Sequence, residues 1–248
     1  MRRFYLPPPE CFSDRLVLTG GEARHAAAVL RVKAGDEIVV LDGAGLELTC
    51  RVESATPKKV QLTVREKTSS PPPPWRITLV QAIPRGKMLE AIIQKATELG
   101  VWRIVPLLSQ RVTTHLEGES VEHKAEKWRQ TAVEAIKQCG QRWLPQVESP
   151  LTLPAWLARC EKFDLTLVAS LQDDRRHLRA YFPTGAKRPG SLCLWIGPEG
   201  DFAPEEMEAI KSAGAFPMTL GPLILRSETA ALCALSIINY EMSAPSAL

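Results

Sequence analysis

The sequence predicts an α/β protein preceded by a small β-rich region, and three observations lead to this fold class. Residues 192–196 and 216–220 are apolar runs too short for helices, and each ends in a glycine-containing loop that leads into a helix. Residues 77–108 read strand, helix, strand, the pattern of a right-handed parallel unit. Residues 1–70 hold short apolar or alternating runs separated by turn signals.

Composition narrows the class of protein. The chain has 248 residues, of which 45% are hydrophobic and 24% are charged, as is ordinary for a soluble globular protein of one or two domains. No apolar run approaches the roughly 20 residues that cross a bilayer, so we expect a cytoplasmic protein without membrane contact. The six cysteines form no CxxC pair and the four histidines do not cluster with them, so we expect neither a metal site nor disulfides.

The charge of the chain is unevenly distributed. Residues 1–74 carry 11 Lys and Arg against 9 Asp and Glu, residues 75–145 carry 11 against 7, and residues 146–248 carry 9 against 12. If the partner is a polyanion, the first 145 residues should therefore supply most phosphate contacts. A solvated surface explains so small an excess equally well.

The N-terminal region is predicted to be a barrel or a curled sheet. Its candidate strands are residues 16–18, 37–41, 46–52 and 60–64, with one or two helical turns within residues 22–30. Four consecutive prolines follow at residues 71–74 and favour a stiff, extended spacer. We therefore predict domains at residues 1–70 and 75–248, joined by the linker 71–74.

The second region alternates strands and helices. The predicted strands are residues 77–83, 103–108, 165–169, 192–196 and 216–220. The predicted helices are residues 87–99, 121–141, a segment that starts at Pro204 and closes at Gly214, and 228–242, with a surface helix and loop within residues 172–190. The last helix is apolar almost all round, so we expect it to be buried by its own domain or by another subunit.

Three loops of this region follow strand ends. In open α/β sheets ligands bind beyond the carboxyl ends of the strands, and glycines such as Gly197, Gly200 and Gly221 let backbone groups approach a ligand closely. A small-molecule site built from main chain is the natural expectation. An isolated Gly-Pro-Glu-Gly is equally compatible with an ordinary turn.

The two glycine loops belong to a longer pattern. IGPEGDF, followed about 20 residues later by LGPLILRSETA, resembles the C-terminal signature of the RsmE family of 16S rRNA uridine methyltransferases, in the knotted SPOUT class. Three further stretches resemble the same family: GEARHAAAVLRVKAGDEIVVLDG, KMLEAIIQKATELGVWRIVPLLSQR and EAIKQCGQRWLPQV. The resemblance implies a SPOUT-type α/β-knot with a deep C-terminal trefoil knot, an N-terminal PUA-like β-barrel domain and a homodimer. Pattern reasoning alone would not propose a knot.

The resemblance also implies the site. S-adenosyl-L-methionine would be wrapped by nine residues: Leu171, Gly197, Pro198, Glu199, Gly200, Leu220, Gly221, Ile224 and Leu225. Arg226 would orient the uracil or offset the anion that develops on it, and Glu228 or Glu199 would accept a proton or hold the arginine. Either glutamate could instead simply favour a helix N-terminus.

Five residues match family positions that imply RNA contact: His25, Arg31, Arg111, Gln138 and Arg142. Without the resemblance, His25 reads as a partly buried histidine and Arg31 as a surface arginine. The chain departs from the family pattern at Asp201, where relatives carry glycine, and at Leu223, where they carry arginine. The aspartate could crowd the pocket, cap the next helix or pair with the sulfonium region of the cofactor.

These observations predict a methyltransferase that acts on N3 of uridine 1498 in 16S rRNA of the small ribosomal subunit. Two alternatives stay open. One is a methyltransferase of the same class acting on another RNA or on a ribose 2′-OH, and the other is an RNA-binding ribosome-assembly factor that has lost catalysis.

Overall fold

The computed structural model describes residues 2–111, 121–182 and 187–243. The chain separates into two compact units: Met1–Pro72 with Val133–Leu144, and Pro73–Ala132 with Pro145–Leu248. Residues 133–144 thus pack with the first unit, although the boundaries predicted from the sequence group them with residues 75–248. Those boundaries stay a prediction, because compactness does not show which residues act as a domain.

The first unit is a five-stranded sheet. Its elements are β1 (Arg3–Tyr5), β2 (Arg15–Thr19), helix α1 (Gly20–Arg24), β3 (Glu37–Leu41), β4 (Leu46–Ala55) and β5 (Lys59–Ser69). The strand order is β1-β3-β4-β5-β2, parallel between β1 and β3 and antiparallel elsewhere. The predicted helical turns are confirmed as α1 and a π-helical turn, His25–Val29. The sequence did not predict β1, because three residues before a proline run show no periodicity.

The core of the first unit is formed by alternate strand residues. Phe4, Leu18, Ile38 and Leu48 are completely buried. Burying a side chain of this size stabilises the fold by about 1.5–3 kcal/mol. Val29, which the sequence placed on one face with His25, is exposed, because the π-helical turn widens the spacing between residues.

The second unit is an eight-stranded parallel sheet with helices. Its elements are β6 (Arg76–Ala82), α2 (Met88–Glu98), β7 (Arg103–Leu108), α3 (Val121–Cys139, whose last turns belong to the first unit), β8 (Gln146–Val147), β9 (Leu151–Thr152), α4 (Leu153–Leu157), β10 (Leu165–Ala169), β11 (Arg176–His177), β12 (Ser191–Ile196), α5 (Pro204–Ser212), β13 (Phe216–Thr219) and α6 (Ser227–Ser243). The order is β11-β13-β10-β12-β6-β7-β8, with β9 also paired to β7. The mixed α/β class predicted from the sequence is confirmed.

The parallel sheet sets the position of the site. Its central strands β12 and β6 are mostly buried, as expected where helices cover both faces, and β10 buries Leu167 and Val168. Because all pairs are parallel, the carboxyl ends of β10, β12 and β13 lie at one edge. The loops that follow these three strands therefore meet.

Some details differ from the predicted pattern. On α2 the buried stripe includes Leu89 and Ile93, whereas Met88 is 37% exposed, because the helix faces the sheet about one residue away from the predicted stripe. The described part of residues 172–190 forms β11 and a 3₁₀ turn, Leu178–Tyr181, in place of the predicted surface helix. The polar composition of these residues indicated that they lie on the surface, but it showed no helical or strand periodicity that could identify the secondary structure.

Candidate functional site

A pocket lies at the carboxyl ends of β10, β12 and β13 in the second unit. Its volume is about 270 Å³, and its walls are the loops after the three strands together with the first turn of α6. Eight of the nine predicted cofactor residues line it: Leu171, Gly197, Pro198, Gly200, Leu220, Gly221, Ile224 and Leu225. Glu199 is exposed and does not line the pocket.

The glycine loops take conformations that other residues avoid. Gly200 has a φ of 86° and Gly221 a φ of 121°, both in the region that favours glycine. The hydroxyl of Thr219 accepts a hydrogen bond from the Gly221 amide at 3.1 Å and so shapes the start of its loop. The positive φ values explain why glycine occupies these two positions of the pocket lining, and a wall built from main chain stays a prediction.

Asp201 connects two of the loops. Its carboxylate accepts hydrogen bonds from the amide of Phe202, at 2.8 Å, and from the amide of Leu171, at 3.1 Å. It does not cap α5, whose N-cap is Ala203. The carboxylate thus ties the loop after β12 to the loop after β10.

A buried chain of hydrogen bonds supports the loop after β12 from below. The Gln81 amide donates to the Ser227 hydroxyl at 2.9 Å, and that hydroxyl donates to the Gly197 carbonyl at 2.8 Å. Gln81 and Ser227 are both buried. This chain links the central strand β6, the start of α6 and the pocket wall.

A second support comes from the buried carboxylate of Glu206. It accepts hydrogen bonds from the amides of Ala203 at 3.1 Å and Gln110 at 2.8 Å, so it joins the start of α5 to the loop after β7. From that same loop Arg111 donates to the carbonyls of Gly200 and Asp201. Arg111, predicted to contact RNA, thus braces the glycine loop.

The three residues predicted to act in catalysis lie beside the pocket. Arg226 is exposed, and its neighbours Leu225 and Ser227 both line the pocket. Among the described residues, the structure records no ion pair between Arg226 and Glu228, which lies half-buried in the first turn of α6. Glu199 accepts a hydrogen bond from the Arg85 amide at 3.3 Å.

The remaining RNA candidates lie in the first unit. His25 is half-buried with its ring edge-on to Phe4, at 6.2 Å between ring centres, and Arg31 is exposed at a left-handed φ of 51°. Gln138 is exposed, whereas the guanidinium of Arg142 is held by Glu47 and Ser70. Arg142 therefore stabilises the first unit in this structure.

Several pocket residues were not predicted from the sequence. They are Ala169, Ser170, Arg175, Ile196, Thr219, Pro222, Leu223, Ser227 and Ala230, while Asp201, expected to border the pocket, lines it. Most are signalled only by adjacency to a predicted residue. Arg175 carries no local motif, and it enters the pocket wall because the loop after β10 folds back on itself.

Comparisons with known proteins identify the family. A model of an RNA methyltransferase domain matches residues 71–239, and a model of an RNA methyltransferase PUA domain matches residues 18–65. Ribosomal RNA small subunit methyltransferase E of Bacillus subtilis is 32% identical over 228 residues, which cover 90% of this chain and 89% of that protein. The chain belongs to the small subunit methyltransferase E family. The resemblance to the RsmE family and the PUA-like N-terminal region are thereby confirmed, and the chain is an rRNA methyltransferase.

Solved structures of similar proteins agree with this membership. A methyltransferase of Legionella pneumophila with bound S-adenosylmethionine has a TM-score of 0.86 and 30% identity, with 96% of each chain covered. Methyltransferase E of Neisseria gonorrhoeae, bound to S-adenosyl methionine, has a TM-score of 0.84 and 28% identity, with 97% of each chain covered. Among the described residues of this family member, no helix is long and apolar enough to cross a membrane, and no group of three or more His, Cys, Asp or Glu could hold a metal ion.

Proposed function

We propose that this chain transfers a methyl group from S-adenosyl-L-methionine to N3 of uridine 1498 in 16S rRNA of the small ribosomal subunit. The observation that carries the proposal is the pocket formed by three loops at the carboxyl edge of the parallel sheet. The two relatives with bound S-adenosylmethionine resemble the chain over almost its whole length, which supports the same donor here.

The pocket residues fit this cofactor. Leu171, Leu220, Ile224 and Leu225 provide apolar surface for the adenine ring, and the backbone of the glycine loops provides hydrogen-bonding groups for its edge. The bound cofactor supplies an electrophilic methyl group on a sulfonium. The chain itself needs to hold donor and acceptor in line, and positioning of this kind can lower a barrier by about 7–11 kcal/mol.

The acceptor requires proton transfer as well as positioning. Uracil N3–H is a weak acid, so methylation requires that its proton be removed or that the developing anion be stabilised. We assign Arg226 to the anion, because its side chain is exposed beside the pocket and has no ion pair among the described residues. Glu228 or Glu199 would accept the proton, since each is adjacent in the chain to a residue that lines the pocket.

We also propose the finer fold implied by the family, a deep trefoil knot in residues 75–248. Strand β13 follows β12 in sequence yet pairs with β10 on the far side of it. The chain must then return past both strands to α6, which packs against α2. A connection that crosses back over two strand ends supports a threaded C-terminus.

A homodimer is proposed for the same region. Helix α6 buries one face, but Leu232 and Ile237 stay half-buried and Tyr240 is 74% exposed. Apolar surface of this kind is typical of an isologous interface. The functional domains would be residues 1–70 and 75–248, joined by the linker 71–74, in a cytoplasmic protein.

The RNA would be held chiefly by exposed residues of the first unit. His25, Arg31 and Gln138 expose at least part of their side chains there. Arg142 and Arg111 would contact RNA only if they released the partners they hold in this structure. We therefore expect Arg31→Ala to weaken RNA binding more than Arg142→Ala does at equal stability.

The test is methyl transfer from labelled S-adenosylmethionine to small subunits that lack the native methyl group, followed by nucleoside mass spectrometry. We expect 3-methyluridine, and we expect Arg226→Ala to reduce the rate at least 100-fold, the typical loss when one charge-stabilising group is removed. A matched control is Arg188→Ala, which removes an arginine that packs on Phe182 away from the pocket lining.

Other results would redirect the proposal. A different labelled nucleoside would favour a methyltransferase with another RNA target or a ribose 2′-OH acceptor. No transfer to subunits or to free rRNA by folded, RNA-binding protein would favour a non-catalytic assembly factor.

A further inference from the structure

The backbone of Leu171 is held from both sides by charged side chains. Its amide donates to the Asp201 carboxylate at 3.1 Å, and its carbonyl accepts a hydrogen bond from the Arg175 guanidinium at 2.7 Å. All three residues line the pocket, and Leu171 is 46% exposed. We call this arrangement the Leu171 clamp.

We propose that Asp201 and Arg175 are positioning residues that fix Leu171 in a cofactor-ready conformation before the cofactor binds. The inference rests on the proposed function, since it takes S-adenosyl-L-methionine as the ligand of the pocket. A side chain in place of glycine would be expected to crowd the pocket and weaken cofactor binding. The proposal is the opposite: the Asp201 side chain strengthens cofactor binding.

The conformation of Asp201 shows how strongly its position is determined. Its φ is 72°, in the left-handed region that aspartate tolerates better than most residues but still at a cost relative to glycine. Backbone strain persists only where surrounding contacts over-determine it. Here each carboxylate oxygen accepts one backbone amide, Oδ1 from Phe202 and Oδ2 from Leu171. Hydrogen bonds to an ionised carboxylate are the stronger kind.

Arg175 fixes the other side of the loop. The same nitrogen that donates to Leu171 also donates to the Gln172 carbonyl at 2.6 Å. The nearest carboxylate oxygen of Asp173 is 3.8 Å away, too far for a hydrogen bond. Ser170, just before the clamp, donates its amide to the Met218 carbonyl of β13 at 3.0 Å. The loop after β10 is therefore anchored to the loop after β12 through Asp201 and to strand β13 through Met218.

A pre-formed loop strengthens binding because the ligand does not have to order it. The clamp acts on the backbone, so its effect should be the same for any ligand that rests on Leu171. A direct attraction between Asp201 and the sulfonium would act differently. S-adenosylhomocysteine lacks the sulfonium charge, so such an attraction would favour only the methylated cofactor.

Comparing the two ligands therefore distinguishes the clamp from a direct attraction to the sulfonium. Affinities for S-adenosylmethionine and S-adenosylhomocysteine are measured by calorimetry for the wild type, Asp201→Gly, Asp201→Asn, Arg175→Ala and the double variant Asp201→Gly with Arg175→Ala. Glu205→Gln, which removes an exposed carboxylate on α5, is the charge control. Amide exchange of Leu171 and Gln172 is followed in the cofactor-free proteins. Glycine suits the φ of residue 201, so Asp201→Gly should remain folded.

We expect Asp201→Gly to weaken both ligands by the same factor, about tenfold, the scale of one lost charge-assisted hydrogen bond. Asp201→Asn should recover part of the loss, because its amide oxygen can still accept one hydrogen bond. Leu171 should exchange faster in Asp201→Gly, and the double variant should lose less than the two single losses combined.

Two results would overturn the clamp: unchanged affinities and exchange in Asp201→Gly, or a loss confined to S-adenosylmethionine. The proposed function fails separately, if the wild type binds neither ligand. In that case amide exchange in the cofactor-free protein would still show whether Asp201 holds Leu171.

Discussion

At the scale of single residues, the pocket depends on side chains that the motif does not specify. Ser227 lies between Arg226 and Glu228, which match the family motif, whereas the motif leaves the residue between them open. The Ser227 hydroxyl nevertheless joins Gln81 to the Gly197 carbonyl. A buried acceptor left without its donor costs about 1–3 kcal/mol. The hydroxyl therefore contributes both to folding and to the position of the glycine loop.

The first prediction concerns this hydroxyl. Ser227→Ala should lower the free energy of unfolding by about 1–3 kcal/mol, because the Gly197 carbonyl loses its donor while Gln81 keeps only its bond to Ala82. Denaturant unfolding measures the effect. Ser236→Ala, at an exposed position of the same helix, should change it by less than about 0.5 kcal/mol. Equal stability of the two variants would contradict the role of the hydrogen-bond chain.

The sequence predicted eight pocket residues but not their supports. Seven of the predicted residues come from two continuous motifs, so a resemblance reaches them directly, and Leu171 follows from the loop after the strand 165–169. Gln81 contributes through a contact with Ser227, 146 residues later, and no local period or spacing signals such a contact. Arg175 contacts Leu171 and Gln172 within its own loop, but a loop conformation of this kind has no periodic sequence signal. The sequence shows that Asp201 departs from the family pattern. It does not show the hydrogen-bond partner of Asp201 in the loop after β10, because that loop lies 30 residues earlier in the chain.

At the scale of elements, helix α3 spans the division between the two units. Its last turns pack with the first unit, where Lys137 forms ion pairs with Glu22 at 2.7 Å and Glu134 at 2.9 Å. Burial alone would lower the pKa of Lys137, but the hydrogen bonds to Glu22 and Glu134 outweigh burial and hold the pKa above its ordinary value. The helical period predicted the helix but could not predict this partner, because Glu22 lies 115 residues earlier.

The second prediction concerns this ion pair. Lys137→Ala should lower the free energy of unfolding by about 2–3 kcal/mol, somewhat below the 3–5 kcal/mol of a fully buried pair, because Glu22 keeps some exposure. Lys124→Ala on the same helix removes an ammonium without an ion pair among the described residues, and should have a much smaller effect. Hydrogen exchange resolved to peptides of the first unit would locate the loss.

The same pair predicts a pH dependence. A lysine whose pKa is raised by folding contributes stability below its unfolded pKa, and that stability is lost as the pH rises through the raised value. The difference between wild type and Lys137→Ala should therefore stay constant through neutral pH and narrow in strong alkali. A difference that vanished near neutral pH would contradict the ion pair.

At the scale of the whole molecule, composition and periodicity predicted the class but not the arrangement. The sequence predicted the longer parallel strands and their glycine loops because each of these strands is a short apolar run that ends at a turn-forming residue. The strand order was not readable, since β10 pairs with both β12 and β13 and no local feature encodes that choice. The short strands β8, β9 and β11 have two residues each, too few to show a period.

The central claim is that the three-loop pocket is the methyl-donor site, and pocket filling tests it most directly. Ala230 lines the pocket from α6, whereas Ala213 is an exposed alanine after α5 that does not. Affinity for S-adenosylmethionine and labelled methyl transfer are measured for wild type, Ala230→Phe and Ala213→Phe. We expect Ala230→Phe to weaken binding at least tenfold and to reduce transfer accordingly, with Ala213→Phe close to wild type. Folded Ala230→Phe that binds the cofactor as tightly as wild type would contradict the claim.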